Sequence, residues 1–379
     1  MSLPLPPLSL YVHIPWCVRK CPYCDFNSHA VRDDIPEAAY VDSLIDDLQT
    51  ELQGDRSRPL QSIFIGGGTP SLFSDKAIAD LLQRIETQIP FAADIEITME
   101  ANPGTFEQAK FEGYRAAGIN RLSLGIQTFA DTQLKALGRI HSGDEARHAA
   151  GLARKLFDNI NLDLMHGLPQ QSTEQALDDL RIAADLGPDH LSWYQLTIEP
   201  NTEFHSRPPS LPVDETLWDI QEQGQAFLAD AGYLQYEISA YAQKGKRARH
   251  NLNYWQFGDY IGIGAGAHGK LTTRSGEIIR RWKQKQPKAY MDPAKRVVGD
   301  EIINSDALPF EFMLNALRLT EGVDSALFTA RTGLSLDIIH PQLKRARSMG
   351  LMDADEQRLS PTLQGRLFLN NLLEMFLDD

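Results

Sequence analysis

The first half of the chain alternates apolar runs with amphipathic helical stretches. Strands are expected in "LSLYVHIP", "QSIFIGGG", "DIEITMEAN", "RLSLGIQT", "NINLDLMHGLP" and "HLSWYQLTI". Between them lie helical patterns such as "EAAYVDSLIDDLQTEL", "DKAIADLLQRIETQI", "TFEQAKFEGYRAAG", "GDEARHAAGLARKLF" and "TEQALDDLRIAADLG". Several end in glycine, as helix C-termini commonly do. Six strand-helix units in succession predict parallel strands joined by right-handed crossovers, in a doubly wound sheet or an incomplete barrel. The strand ends favour the barrel. Cys17 follows the first strand, Gly66 to Thr69 end the second, Glu100 and Asn102 the third, Gln127 the fourth, and Asp163 and His166 the fifth. In a barrel all of these gather at the C-terminal mouth, where such folds place their chemistry.

The expected fold class is α/β, with a partial (β/α)6 TIM-like barrel over residues 1–235 and an α+β extension over 236–304. Within the extension, "DYIGIGAGAHGKL" reads as a strand and a glycine-rich turn near the mouth. After a polar linker around Asp300 to Asp306 the pattern becomes helix, helix, short hairpin and helix. Residues 305–379 are therefore expected to form a winged-helix-like domain. Its seven Lys or Arg and 11 Asp or Glu give it a net charge of -4 and no phosphate-tracking face, so protein contact is the expected use.

Composition narrows the function classes. The chain has 379 residues, 42% apolar and 23% charged, ordinary for a globular protein with ample core. "MSLPLPPLSLYVHIP" has no basic n-region or long apolar h-region, and no later stretch approaches the roughly 18 apolar residues of a membrane span. A cytoplasmic protein without an integral membrane segment is expected. The net charge of -14 argues against nonspecific nucleic-acid binding.

All three cysteines fall in "CVRKCPYC", as Cys17, Cys21 and Cys24. An odd total this tightly clustered does not fit a disulfide framework. Three thiolates spaced three and then two residues apart can converge around one metal or iron-sulfur cluster, and a cubane normally takes four cysteines. One coordination position is left open. The glycine run Gly66 to Gly68 lacks the spacing of a dinucleotide or P-loop motif. Beside a three-thiolate cluster, it suits a small zwitterionic ligand gripped through main-chain groups. Glu100 and Asp163 are candidates to hold an amine or ribose hydroxyls.

Cys17-x3-Cys21-x2-Cys24 after "YVHIPWC", with "GGGTP", "EANP", "LSLGIQT" and "DLMHGLP", resembles the radical S-adenosylmethionine family. More narrowly, it resembles the subgroup of oxygen-independent coproporphyrinogen III dehydrogenase and its heme-chaperone relatives. The resemblance implies a radical SAM barrel whose cysteines hold a 4Fe-4S cluster, with S-adenosylmethionine chelating the fourth iron. It implies electron transfer that cleaves the sulfonium to methionine and a 5'-deoxyadenosyl radical. It assigns Tyr11, Gly67 and Glu100 to the cluster-bound S-adenosylmethionine. Tyr23, Gly68, Thr69, Gln127, Arg139 and Asp163 match a second S-adenosylmethionine site of the dehydrogenase branch. That branch has a further cysteine where this chain has Phe26, which speaks against porphyrinogen oxidation.

From Lys244 to Arg296 there are 13 Lys or Arg against Asp259, Glu277 and Asp292, a local charge of +10. This segment is expected to be an anion site. Its "HNLNYW" fits the His-Asn-x-x-Tyr-Trp pattern of the heme-chaperone branch, which marks His250, Tyr254 and Trp255 for heme, with His268 a lesser candidate. Imidazole can ligate heme iron and aromatic faces can pack on a porphyrin. The expected function is a heme chaperone that passes heme to an unidentified acceptor protein; the alternative is oxidative decarboxylation of coproporphyrinogen III.

Overall fold

The computed structural model describes residues 5–53, 57–104 and 108–377. Six parallel strands form its centre: β1 (Leu8–Ile14), β2 (Leu60–Gly67), β3 (Phe91–Ala101), β4 (Arg121–Gln127), β5 (Ile160–His166) and β6 (His190–Gln195). They lie side by side in chain order, as the strand-helix alternation predicts.

The strand sequences explain which side faces what. In β1, Leu8, Leu10, Val12 and Ile14 join one apolar cluster with Tyr40, Leu44 and Leu48 of the Glu37–Leu52 helix. The intervening Ser9, Tyr11 and His13 take the opposite face, since successive strand side chains alternate. Ser9 meets Ser62 of β2 hydroxyl to hydroxyl at 2.8 Å, and Tyr11 stacks on Phe64 at 6.0 Å between ring centres. The inner face is thus polar and aromatic rather than a packed aliphatic core.

Helices start where the sequence supplies caps. Ser142 and Ser172 each form a reciprocal box with the residue three positions on, Glu145 and Gln175. The helix expected from Thr105 is seen over Gln108–Ala117; residues 105–107 lie outside the described residues.

The extension joins the same sheet at both edges. Ala240–Ala242 and Leu234–Glu237 run antiparallel beyond β6, while Asp259–Ile263 lies parallel to β1 and leads into three antiparallel strands ending at Val297–Ile302. The expected linker is therefore shorter. Asp300 and Glu301 lie in the last strand, where Asp300 faces Arg281 and pairs with it at 2.7 Å. Beyond it, the helices Leu308–Ala316, Ala326–Thr332 and His340–Ser348 pack with a two-stranded ladder of Val323–Asp324 and Arg358–Leu359. Their core, including Phe312, Phe328, Leu343 and Leu359, also takes in Tyr236, Ala240 and Phe257 from the barrel side.

Candidate functional site

The C-terminal strand ends and the cysteine loop enclose a cavity of about 440 Å³. Cys17, Cys21, Tyr23, Cys24, Gly67, Gly68, Thr69, Glu100, Gln127, Arg139 and Asp163 all line it. Residues 146 positions apart in sequence meet because parallel strands bring their ends to one mouth.

Backbone bonds fix the loop against the glycine run. Gly68 N–H donates to the Ile14 carbonyl and Thr69 N–H to the Trp16 carbonyl, each at 2.7 Å. A Cβ on Gly68 would sit 2.5 Å from the Trp16 oxygen, and one on Gly67 (φ +112°) 2.5 Å from the His13 ring, so both positions need glycine. Tyr11 does not line the cavity. His13 Nε2 lies 2.8 Å from the Asn27 carbonyl, which places the hydrogen on Nε2 and makes Nδ1 the acceptor of the Tyr11 hydroxyl at 2.7 Å. Burial lowers His13 to about 4, so the ring stays neutral. Tyr11 thus acts on the Gly67 turn through His13.

Each thiol has a polar neighbour: Thr69 Oγ1 donates to Cys17 Sγ at 3.4 Å, Ser28 Oγ lies 3.9 Å from Cys24, and Arg139 Nη1 lies 3.8 Å from Cys21. All three cysteines are free. Burial raises the Cys17 and Cys24 thiols, partly offset by the hydroxyls. Among the described residues no three Cys, His or carboxylate side chains are grouped to hold a single metal ion. A cubane makes a different demand, because each thiolate binds a different iron. Three reduced thiols around one open mouth, with a cation and two hydroxyls beside them, fit such a cluster.

Two half-buried carboxylates line the same cavity. Glu100 accepts the Gly67 N–H at 3.0 Å, and Asp163 accepts from Ser123 and Asn161, each at 2.8 Å. Burial first, and the nearby Asp163 second, push Glu100 up to about 8; burial also raises Asp163. Arg139 spans the mouth through Asn102 Oδ1 at 2.8 Å and the Gly125 carbonyl at 2.6 Å. A cavity with backbone amides, a fixed guanidinium and ionisable carboxylates can take a zwitterionic ligand.

Tyr194, whose hydroxyl donates to Gln127 Oε1 at 2.9 Å, also lines the cavity, as do Ser192, Glu237 and Arg318. The sequence reading missed these four. Ser192 and Tyr194 were detectable as polar positions two apart in "HLSWYQ"; Glu237 and Arg318 carry no local signal.

The heme candidates separate. Trp255 lines the cavity, whereas His250 and His268 do not. His250 is buried, with its ring stacked on Phe64 at 4.4 Å and Nδ1 2.8 Å from Glu96 Oε1. Burial opposes the Glu96 charge, but hydrogen bonds from His250 and the Arg249 amide outweigh it and hold Glu96 at about 2. Burial lowers His250, so the geometry is a neutral imidazole donating Nδ1–H to a carboxylate. Tyr254 packs edge-on against Tyr260 at 4.8 Å. The +10 segment is not an open anion site. Arg247, Arg249, Lys270, Lys283 and Arg296 pair with Glu321, Asp94, Asp259, Asp47 and Asp46, mostly acids from distant parts of the chain.

Residues 11–183 match the radical SAM superfamily and residues 303–368 the HemN C-terminal domain. A heme chaperone HemW of Escherichia coli (strain K12) is 54% identical over 374 residues, covering 98% of this chain and 99% of its own. A heme chaperone HemW of Bacillus subtilis (strain 168) is 33% identical over 98% of this chain and 99% of its own. Coproporphyrinogen III oxidase (HemN) from Escherichia coli, a radical SAM enzyme, superposes with a TM-score of 0.83 at 25% identity, over 98% of this chain and 90% of its own.

Proposed function

The chain belongs to the radical SAM superfamily, among its HemW-type heme chaperones, and from that premise we propose that it binds heme and hands it to an acceptor protein. Kinship with proteins named heme chaperone HemW along 98% of the chain carries the reading.

Cys17, Cys21 and Cys24 would hold a 4Fe-4S cluster, which with S-adenosylmethionine would supply reductive cleavage of the sulfonium. The chain's own residues position the ligand. The Gly66–Gly68 turn brings main-chain groups to the mouth, and Glu100, whose carboxyl burial pushes up to about 8, accepts a ligand ammonium as its carboxylate, its proton passing to solvent. Gln127, Arg139 and Asp163 also line the cavity, Arg139 beside Cys21, and Tyr11 braces the turn through His13.

For heme, His250 is the proposed iron ligand. Its Nδ1–H is committed to Glu96, leaving the Nε2 lone pair, the arrangement in which a carboxylate orients a metal-binding imidazole. Reaching Nε2 requires displacement of the short Arg249–Trp255 helix, whose Asn251 and Trp255 already face the cavity.

Likeness to the coproporphyrinogen III oxidase supports a second reading, porphyrinogen decarboxylation. Phe26, 61% exposed at the mouth, puts a phenyl ring where that reading expects a thiol. Anaerobic incubation of the cluster-loaded protein with S-adenosylmethionine, a reductant and coproporphyrinogen III tests the choice. No protoporphyrinogen is expected; turnover replaces the chaperone reading with the enzyme.

A further inference from the structure

The cavity continues away from the cysteines to the seam between the barrel edge and the C-terminal helices. Glu237, Ser239, Asn251, Trp255 and Arg318 line that end. The Arg318 guanidinium carbon lies 4.2 Å over the Trp255 ring, and its Nη2 donates to Glu237 Oε2 at 3.3 Å. Glu237 is held in place, since its Oε1 accepts the Ser239 amide at 3.0 Å and hydroxyl at 3.1 Å. Two donors at this end have no acceptor: Trp255 Nε1–H and Arg318 Nε–H are both buried without a partner.

Buried donors are normally satisfied, so an unpartnered pair on two stacked residues that line one cavity is where an acceptor from outside the chain would be taken up. A guanidinium stacked on an indole is oriented, and its forked donors match a carboxylate. We infer that Arg318 and Trp255 form a carboxylate-recognition subsite at the far end of the cavity and that a heme propionate occupies it. The inference rests on the heme reading above and adds the residue that recognises the anionic edge of the macrocycle. Tyr254 and His250 belong to the same short helix as Trp255, so the displacement that would expose the proposed iron ligand also moves one wall of this subsite.

The test titrates hemin and hemin dimethyl ester, whose propionates are capped, into the full-length protein and follows the Soret band. The ester is expected to bind about tenfold or more weakly, the loss typical of one charge-assisted hydrogen bond. Arg318→Met should bring hemin to the level of the ester without changing the ester's own affinity, and Arg318→Lys should recover part of the difference. Because Arg318→Met leaves Glu237 buried without its cation, the double variant Glu237→Gln with Arg318→Met removes that charge and should show the same loss. Equal affinity of the wild type for both porphyrins, or unchanged hemin affinity in the single and double variants, overturns the subsite while leaving heme binding in place. Saturable binding of neither porphyrin by the wild type removes the heme reading and the subsite together.

Discussion

Glu100 shows how a residue can be legible in type and illegible in state. A carboxylate at the end of the third strand marks the mouth, but its proton depends on burial and on Asp163, 63 positions away. Folding holds the proton to about pH 8, whereas the unfolded carboxyl releases it near 4.5. Between those values the native state binds more protons than the unfolded one, so this group's contribution to stability falls as pH rises. Glu100→Gln should therefore gain stability relative to the wild type from pH 5 to 8 in the ligand-free protein, and lose S-adenosylmethionine affinity at pH 8. Thermal midpoints across that range check the first outcome and calorimetric titration the second; parallel pH profiles for the two proteins contradict the assignment. At the mouth itself, Cys21→Ala removes one of three thiolates and should abolish the 4Fe-4S absorbance after anaerobic reconstitution. His250 is the counterpart case: the "HNLNYW" motif marks it as a candidate, while its stacking on Phe64 and its bond to Glu96 follow only from the packing of distant strands.

Helices and barrel strands were readable because their signals are local. Apolar runs, serine caps and terminal glycines all act within a few residues, and the Glu37–Leu52 helix appears over the stretch that its pattern predicts. The basic segment misled for the opposite reason. Lys283 of the Ile278–Lys283 strand is buried and meets Asp47 and Glu51 of the Glu37–Leu52 helix, each at 2.5 Å, a clamp spanning 236 and 232 positions. Tyr290 adds its hydroxyl to Asp47 at 2.7 Å. Counting charges along the sequence sees the cations and not these partners. Burial raises Asp47, and Lys283 opposes that shift. Lys283→Met should therefore cost roughly 3–5 kcal/mol by stranding buried carboxylate charge. Adding Asp47→Asn should recover part of the loss. Urea unfolding of the single and double variants measures both; a single variant as stable as the wild type contradicts the clamp.

For the whole molecule, the strand-helix count gave the six central strands, but not that the later segments complete the same sheet at both edges. Those additions contribute Glu237, Ser239, Asn251 and Trp255 to the cavity lining. One end gathers the cysteines, the glycine turn and Glu100; the other reaches Trp255 and Arg318 at the seam with the C-terminal helices. Among the described residues no helix is long and apolar enough to cross a membrane. The short helix that bears His250 also carries Asn251 and Trp255, which line the cavity that the cysteines line. The most direct test is a spectral titration of hemin into the full chain, wild type and His250→Ala. The account predicts saturation at a fixed ratio in the wild type, with a Soret band that shifts and a weaker affinity in the variant. A linear, unsaturable rise identical in both proteins contradicts it.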